Sequence, residues 1–209
     1  TSEMTATMSR AAVRRCVWMA MLPLATVMPR AARGQSGTVT LLGYHTMVPT
    51  GWTNRAPSSS MRLAEYVLPA ASGTPGAEVV VYFFGQGQGG NVESNLARWK
   101  AQFSRPDGAP VEEKVTHDST GAIKITIAEY QGTYARGIGA GSPDQAKAGQ
   151  ALTAAIAETP RGTLFIQLFG PAEAVAAQRE SFLKFVHGLA DRRRVRTRSL
   201  AARTDRRRR

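Results

Sequence analysis

The sequence predicts an α+β domain, an antiparallel sheet of about six to seven strands covered by two main helices. Three observations carry that prediction. Residues 77–84 (AEVVVYFF) form a near-continuous β-branched and aromatic run, the composition of a strand buried on both faces. Ile123, Ile125 and Ile127 alternate with Lys124, Thr126 and Ala128, the period of two that marks a strand. Val92, Leu96, Trp99 and Phe103 recur at helical spacing and make one apolar stripe.

The remaining elements follow in chain order. Residues 35–60 are rich in Gly, Ser, Thr and Pro around a short strand at 38–47, and Val48-Pro49-Thr50-Gly51-Trp52 reads as a turn that sets down a tryptophan. Residues 61–68 (MRLAEYVL) are a strand bounded by serines and Pro69, followed by a loop at 70–76 and the apolar strand at 77–84. Asn91 is placed to cap the helix that carries the 92–103 stripe, with Glu93, Ser94, Arg98, Lys100 and Gln102 on its outer faces. Pro106-Asp107-Gly108 stops it with a turn. A hairpin of 111–117 and 122–131 is expected around Asp118-Ser119-Thr120-Gly121, and then a long loop over 132–150, with five glycines.

Residues 151–158 (ALTAAIAE) are ambiguous. Alanine favours helix, and Ser142-Pro143-Asp144-Gln145 has the form of a capping box. Thr159-Pro160-Arg161-Gly162 is nevertheless a tight-turn sequence that leads into the apolar strand 163–169, so a hairpin is preferred. The last element is a helix over 172–189, with Val175, Phe182, Phe185, Val186 and Leu189 inward and Arg179, Glu180 and Lys184 outward.

Charge divides the chain into three. The formal net charge is +12, yet residues 1–34 hold five arginines and one acid, and residues 191–209 hold ten arginines and two aspartates. The body, 35–190, is balanced at zero, so the chain as a whole does not read as a basic nucleic-acid-binding domain. Arg10, Arg14 and Arg15 precede an apolar stretch at 16–28, and Ala31-Ala32-Arg33-Gly34 ends it with small residues. That succession is expected to be a secretory signal peptide at 1–34, too short for a membrane anchor, with export to the periplasm or beyond the cell. Cys16, the single cysteine, would leave with it, so no disulfide or thiolate ligand is expected in a single α+β domain at 35–190. The segment 191–209 is expected to be a disordered Arg-rich tail.

The order strand, strand, strand, helix, hairpin, hairpin, helix resembles the PsbP-like fold. The carriers are Val48-Pro49-Thr50-Gly51-Trp52, the helix with Trp99, and the run 164–169 passing through Gly170-Pro171 into the last helix. The resemblance covers about residues 44–189. It implies an α/β/α sandwich and a non-enzymatic binding role toward a protein or cell-envelope component, and it transfers no functional residue.

Two features invite a site. Gly85, Gly87, Gly89, Gly90 and Asn91 contain a literal G-x-G-x-x-G after a strand and before a helix, where glycines let the backbone approach a phosphate. A dinucleotide site also needs a second parallel strand and an acid for the ribose; here a hairpin follows, and Asp107 lies within a turn. The segment is therefore a candidate anion site, with a nucleotide- or anion-binding enzyme as the alternative reading. The second feature is the tail: Arg192, Arg193, Arg194, Arg206, Arg207, Arg208 and Arg209, without interleaved aromatics, suit anionic lipid or polymer rather than specific nucleic acid.

Other chemistry has no pattern behind it. His45, His117 and His187 lie on separate elements without ligand spacing, so no metal site is expected. Glu112 and Glu113 are adjacent and would point to opposite faces of a strand, and Tyr134 and Arg136 fall in the glycine-rich loop. No catalytic residue and no cofactor is assigned.

Overall fold

The computed structural model describes residues 37–70, 76–135 and 146–191. The expected signal peptide, the Ser142–Gln145 capping box, Arg136 and the tail arginines from Arg192 onward lie outside the described residues. Among the described residues, eleven strands and two helices follow one another as β1 (Thr38–Leu41), β2 (Tyr44–Met47), β3 (Thr53–Arg55), β4 (Arg62–Val67), β5 (Glu78–Tyr82), α1 (Val92–Lys100), β6 (Phe103–Ser104), β7 (Lys114–Thr120), β8 (Ile123–Tyr134), β9 (Lys147–Thr159), β10 (Gly162–Pro171), α2 (Ala172–His187) and β11 (Ala190–Asp191).

An eight-stranded sheet runs in the order β3-β4-β5-β10-β9-β8-β6, with β7 also paired to β8; a small sheet has the order β1-β2-β11. Its neighbours are antiparallel throughout. The α+β expectation holds, and the main sheet exceeds six or seven strands because the short pieces β3 and β6 extend it at either end.

Alternation builds two cores. Val79 and Val81 of β5, Leu164, Ile166 and Leu168 of β10, and Ile123, Ile125 and Ile127 of β8 share one face with Phe182, Phe185 and Val186 of α2. The intervening positions, among them Ala128, Tyr130, Leu152, Ile156 and Phe165, share the other face with Trp99 of α1. One strand thus supplies both cores, which is why β5 and β10 read as apolar runs. Trp52 is buried where the turn at 48–52 delivers it, its Nε1 donating to Gln178 Oε1 at 3.1 Å and its ring 5.3 Å from that of Phe185.

Several boundaries differ from the sequence expectation. The strand at 38–47 is a hairpin, turned at Leu42 and Gly43 with φ of +49° and +78°. Both central residues of that turn are left-handed, and leucine in such a place hides the turn from composition. Phe103 lies in β6 rather than on the helix, pairing with Tyr134. The β7–β8 turn is the two-residue Gly121-Ala122, with Thr120 opposite Ile123 and Gly121 at φ +63°. A first-position glycine of positive φ is the II′ pattern, so Asp118, Ser119 and Thr120 belong to an edge strand whose polar side chains face water.

The loop expected over 132–150 is cut at both ends. β8 continues to Tyr134, whose ring packs 5.3 Å from Phe103 and 4.6 Å from Phe169, and β9 starts at Lys147 opposite it. Residues 151–158 are strand, as the preferred hairpin requires, with Thr159 and Gly162 paired across the turn. The helix α2 stops at Gly188, and Asp191, set at the head of the tail by composition, pairs with Tyr44 as part of β11.

Candidate functional site

The glycine segment is shaped by packing. Gly85, Gly87, Gly89 and Gly90 all have positive φ, and a Cβ on Gly89 would stand 2.6 Å from the Phe165 ring. Asn91 caps α1 as expected, its Oδ1 accepting from Ser94 N at 2.9 Å. The buried Asn95 then donates from Nδ2 to the carbonyls of Gly89 and Asn91, both at 2.8 Å, locking the loop to the helix.

β5 lies between β4 and β10, both antiparallel, and the chain leaving α1 goes to β6 at the far edge. Among the described residues no parallel βαβ unit surrounds the glycines. Asp107 is occupied in its own turn, accepting from Arg105 at 2.8 and 3.1 Å and from Ala109 N at 3.1 Å. Arg105, with the Ala109 amide, lowers its carboxyl below the ordinary value.

A cleft of about 290 Å³ opens between the first turns of α2 and strands β7, β8 and β9. Its polar lining includes Glu113, Lys114, Glu129, Tyr130, Thr153 and Arg179. Arg179 was expected outward; it turns to the sheet and forks onto Glu129, Nε to Oε2 at 2.8 Å and Nη2 to Oε1 at 2.7 Å. Lys114, opposite Glu129 in register, adds a contact of 3.5 Å. Arg179 and then Lys114 hold the Glu129 carboxyl below its usual range, and Glu129 raises Arg179 in return.

At the cleft's edge the Tyr130 hydroxyl donates to Glu113 Oε1 at 2.6 Å and lies 3.2 Å from the Leu96 carbonyl. Burial first, and then the Glu113 carboxylate, push the phenol well above its ordinary value, so it stays protonated. Glu113 also meets Lys100 at 3.3 Å, and Glu112 meets Arg105 at 3.1 Å. Both glutamates precede β7, and they turn to different partners. The cleft is a polar surface in which every lining charge has an opposite charge within 3.5 Å, Glu129 being shared between Arg179 and Lys114.

Sequence reasoning missed the Glu129–Arg179 pair, although its trace is there. Glu129 continues the Ile123, Ile125, Ile127 alternation onto the same face, and Arg179 stands four residues after Val175 and three before Phe182. An acid and a base each at an inward position of its own period are the signal.

The histidines stay apart: His45 Nδ1 is 2.9 Å from Thr40 Oγ1, His117 Nδ1 is 3.2 Å from Thr126 Oγ1, and His187 Nδ1 is 3.4 Å from Asp118 Oδ2. Among the described residues no three metal-ligating side chains gather, and no helix is long and apolar enough to cross a membrane.

No family model matches the chain. No curated protein matches it either. A crystal structure of a protein of unknown function from Pseudomonas aeruginosa is similar at a TM-score of 0.45 and 13% identity, over 76% of this chain and 99% of the other.

Proposed function

We propose that the chain is an exported binding or accessory domain that recognises a protein or cell-envelope component without catalysing a reaction on it. The observation that carries the reading is the cleft beside α2. Its charged groups, Glu112, Glu113, Lys114, Glu129 and Arg179, are each held by an intramolecular partner. A general base or nucleophile needs a group free to take a proton or attack. Paired charges and a protonated phenol instead present a preorganised pattern that a partner can match. At about 290 Å³ the cleft is at the small end for a ligand site, suiting one side chain or head group of a larger partner. Export rests on the N-terminal charge and apolar pattern, and the PsbP-like resemblance of the sequence agrees with a binding role.

The test is capture from an envelope extract with wild type and with Thr153→Arg, which fills the cleft. A defined partner retained by wild type and lost by the variant supports the reading; equal retention refutes it.

A second reading has its own observation, the ten arginines of 191–209 beside a body of zero net charge. It is electrostatic attachment to anionic lipid or polymer through the tail. The nucleotide-binding alternative at Gly85–Asn91 ranks below both, because Gly89 there is required by the packing of Phe165 and the described residues around the segment hold no parallel strand partner.

A further inference from the structure

At the opposite end of the sheet from the cleft, β3 and β4 are joined by residues 56–61 (APSSSM), all of them exposed. Beneath that segment Glu65 is, among the described residues, the one charged side chain that is fully buried. It sits on β4 between Ala64 and Tyr66, which face α2, so its carboxylate projects from the α1 side. There one oxygen, Oε1, accepts from the Ser58 amide at 2.7 Å, the Ser58 hydroxyl at 2.8 Å and Arg62 Nη1 at 3.1 Å. The other, Oε2, accepts from Arg55 Nε at 2.9 Å, and Arg55 reaches on to Glu78 at 2.8 Å.

The segment is exposed throughout, with Met61 at 51% exposure its one large apolar side chain, so little apolar burial holds it in place. Its ties to the sheet are the Ser58 pair of donors on Glu65, the Ser59 carbonyl accepting from Arg62 N at 3.1 Å, and the Met61 carbonyl accepting from Phe83 N at 2.9 Å at its far end. The sheet below has independent support: β4 is in register with β5 from Ala64 to Val67, and Tyr66 packs on Trp52 and Phe185.

We propose that residues 56–61 form a strap latched to the sheet by the Glu65 carboxylate, which opens when that carboxylate is released while the sheet keeps its register. Arg55 and Arg62, at 45% and 20% exposure, are near enough to water to be rehydrated on opening. The latch and the sheet are therefore separable. Opening brings the Glu65 carboxylate to the surface beside its two arginines on the α1 side, at the other end of the strand order from the Glu129–Arg179 cleft.

Residue-resolved hydrogen exchange on the full chain, with trypsin nicking at Arg55–Ala56, compares wild type with Glu65→Ala. The expected result is at least a tenfold loss of protection at the Ser58 amide and a faster nick, with Tyr66, Val79 and Val81 amides protected as before. Unchanged protection at Ser58 overturns the proposal, and so does simultaneous loss across β4 and β5, which would make the carboxylate a fastener of the sheet. Ser58→Ala removes one donor and leaves the carboxylate and both arginines in place. It carries the same test if Glu65→Ala does not fold: a faster nick supports the latch, and a nick at the wild-type rate overturns it.

Discussion

Arg179 of α2 and Glu129 of β8, 50 positions apart in the chain, meet through two parallel hydrogen bonds that close the α2 side of the cleft. The fork fixes the helix against the sheet at the point where the apolar contacts of Val175 give way to polar ones. Removing either partner is expected to destabilise the fold by about 1–2 kcal/mol, the range for a charged hydrogen-bonded pair reduced for solvent screening. A double-mutant cycle of Arg179→Ala and Glu129→Ala, read by denaturant midpoint, should show coupling of that size. Additive single effects would mean the pair contributes nothing as a pair.

Trp99→Ala is expected to cost about 3–5 kcal/mol, as large aromatic truncations in cores do. The ring is 1% exposed in the cluster with Phe103, Tyr130 and Phe165. A midpoint equal to wild type would contradict its place in that core.

Acid sensitivity should carry the mark of Glu65. The Ser58 amide, chief among its donors, brings this carboxyl from 4.5 to about 2, against the opposing effect of burial. A group with a depressed folded value gives stability that is whole above its unfolded value and lost as pH falls through the folded one. Stability should thus fall between pH 4.5 and about 2, and Glu65→Gln should flatten that part of the curve. An unaltered slope in the variant would assign the acid transition to other carboxyls, Glu129 foremost, whose value is also lowered.

The glycine segment separates packing from phosphate approach. A Cβ on Gly89 meets the rings of Phe165 and Phe84 at 2.6 and 2.9 Å, whereas one on Gly87 meets nothing within 4 Å. Gly89→Ala should therefore destabilise more than Gly87→Ala, which carries only the strain of a positive φ. Calorimetric titration of the chain with NAD and ATP should give no saturable binding. Micromolar binding lost in Gly87→Val would put the nucleotide reading first.

The tail has its own assay. Binding to anionic vesicles should weaken steeply with salt and vanish when residues 192–209 are removed. Asp191 must stay, because it pairs with Tyr44 in β11. Retained binding after that truncation would move the site to the body.

How far the fold was legible follows from which residues carry strong periodicity. The runs through Val79–Val81, Ile123–Ile127 and Leu164–Leu168 and the stripe at Trp99 announced their elements, because burial on a repeating face leaves a repeating pattern. The β1–β2 turn was silent, since Leu42 adopts its positive φ only under the pairing of Leu41 with Tyr44. The β7–β8 turn misled for a related reason: Asp118 and Ser119 look like turn residues but lie on an edge strand, where polar side chains are solvated. The cleft was illegible as a site because its members come from β7, β8, β9 and α2, and no local spacing joins Lys114 to Arg179. Single-residue clues existed at Glu129, Arg179 and Glu65, each a charge where its period calls for an apolar residue or a strand interior.

The most direct test of the binding reading is site-specific photo-crosslinking in cells that produce the protein. A crosslinker at Glu112, 90% exposed on the rim of the cleft, is compared with one at Lys124 on the opposite face of β8. The binding account predicts one defined adduct with a protein or envelope component at position 112 and none at 124. No adduct at 112, or equal adducts at both positions, would contradict it.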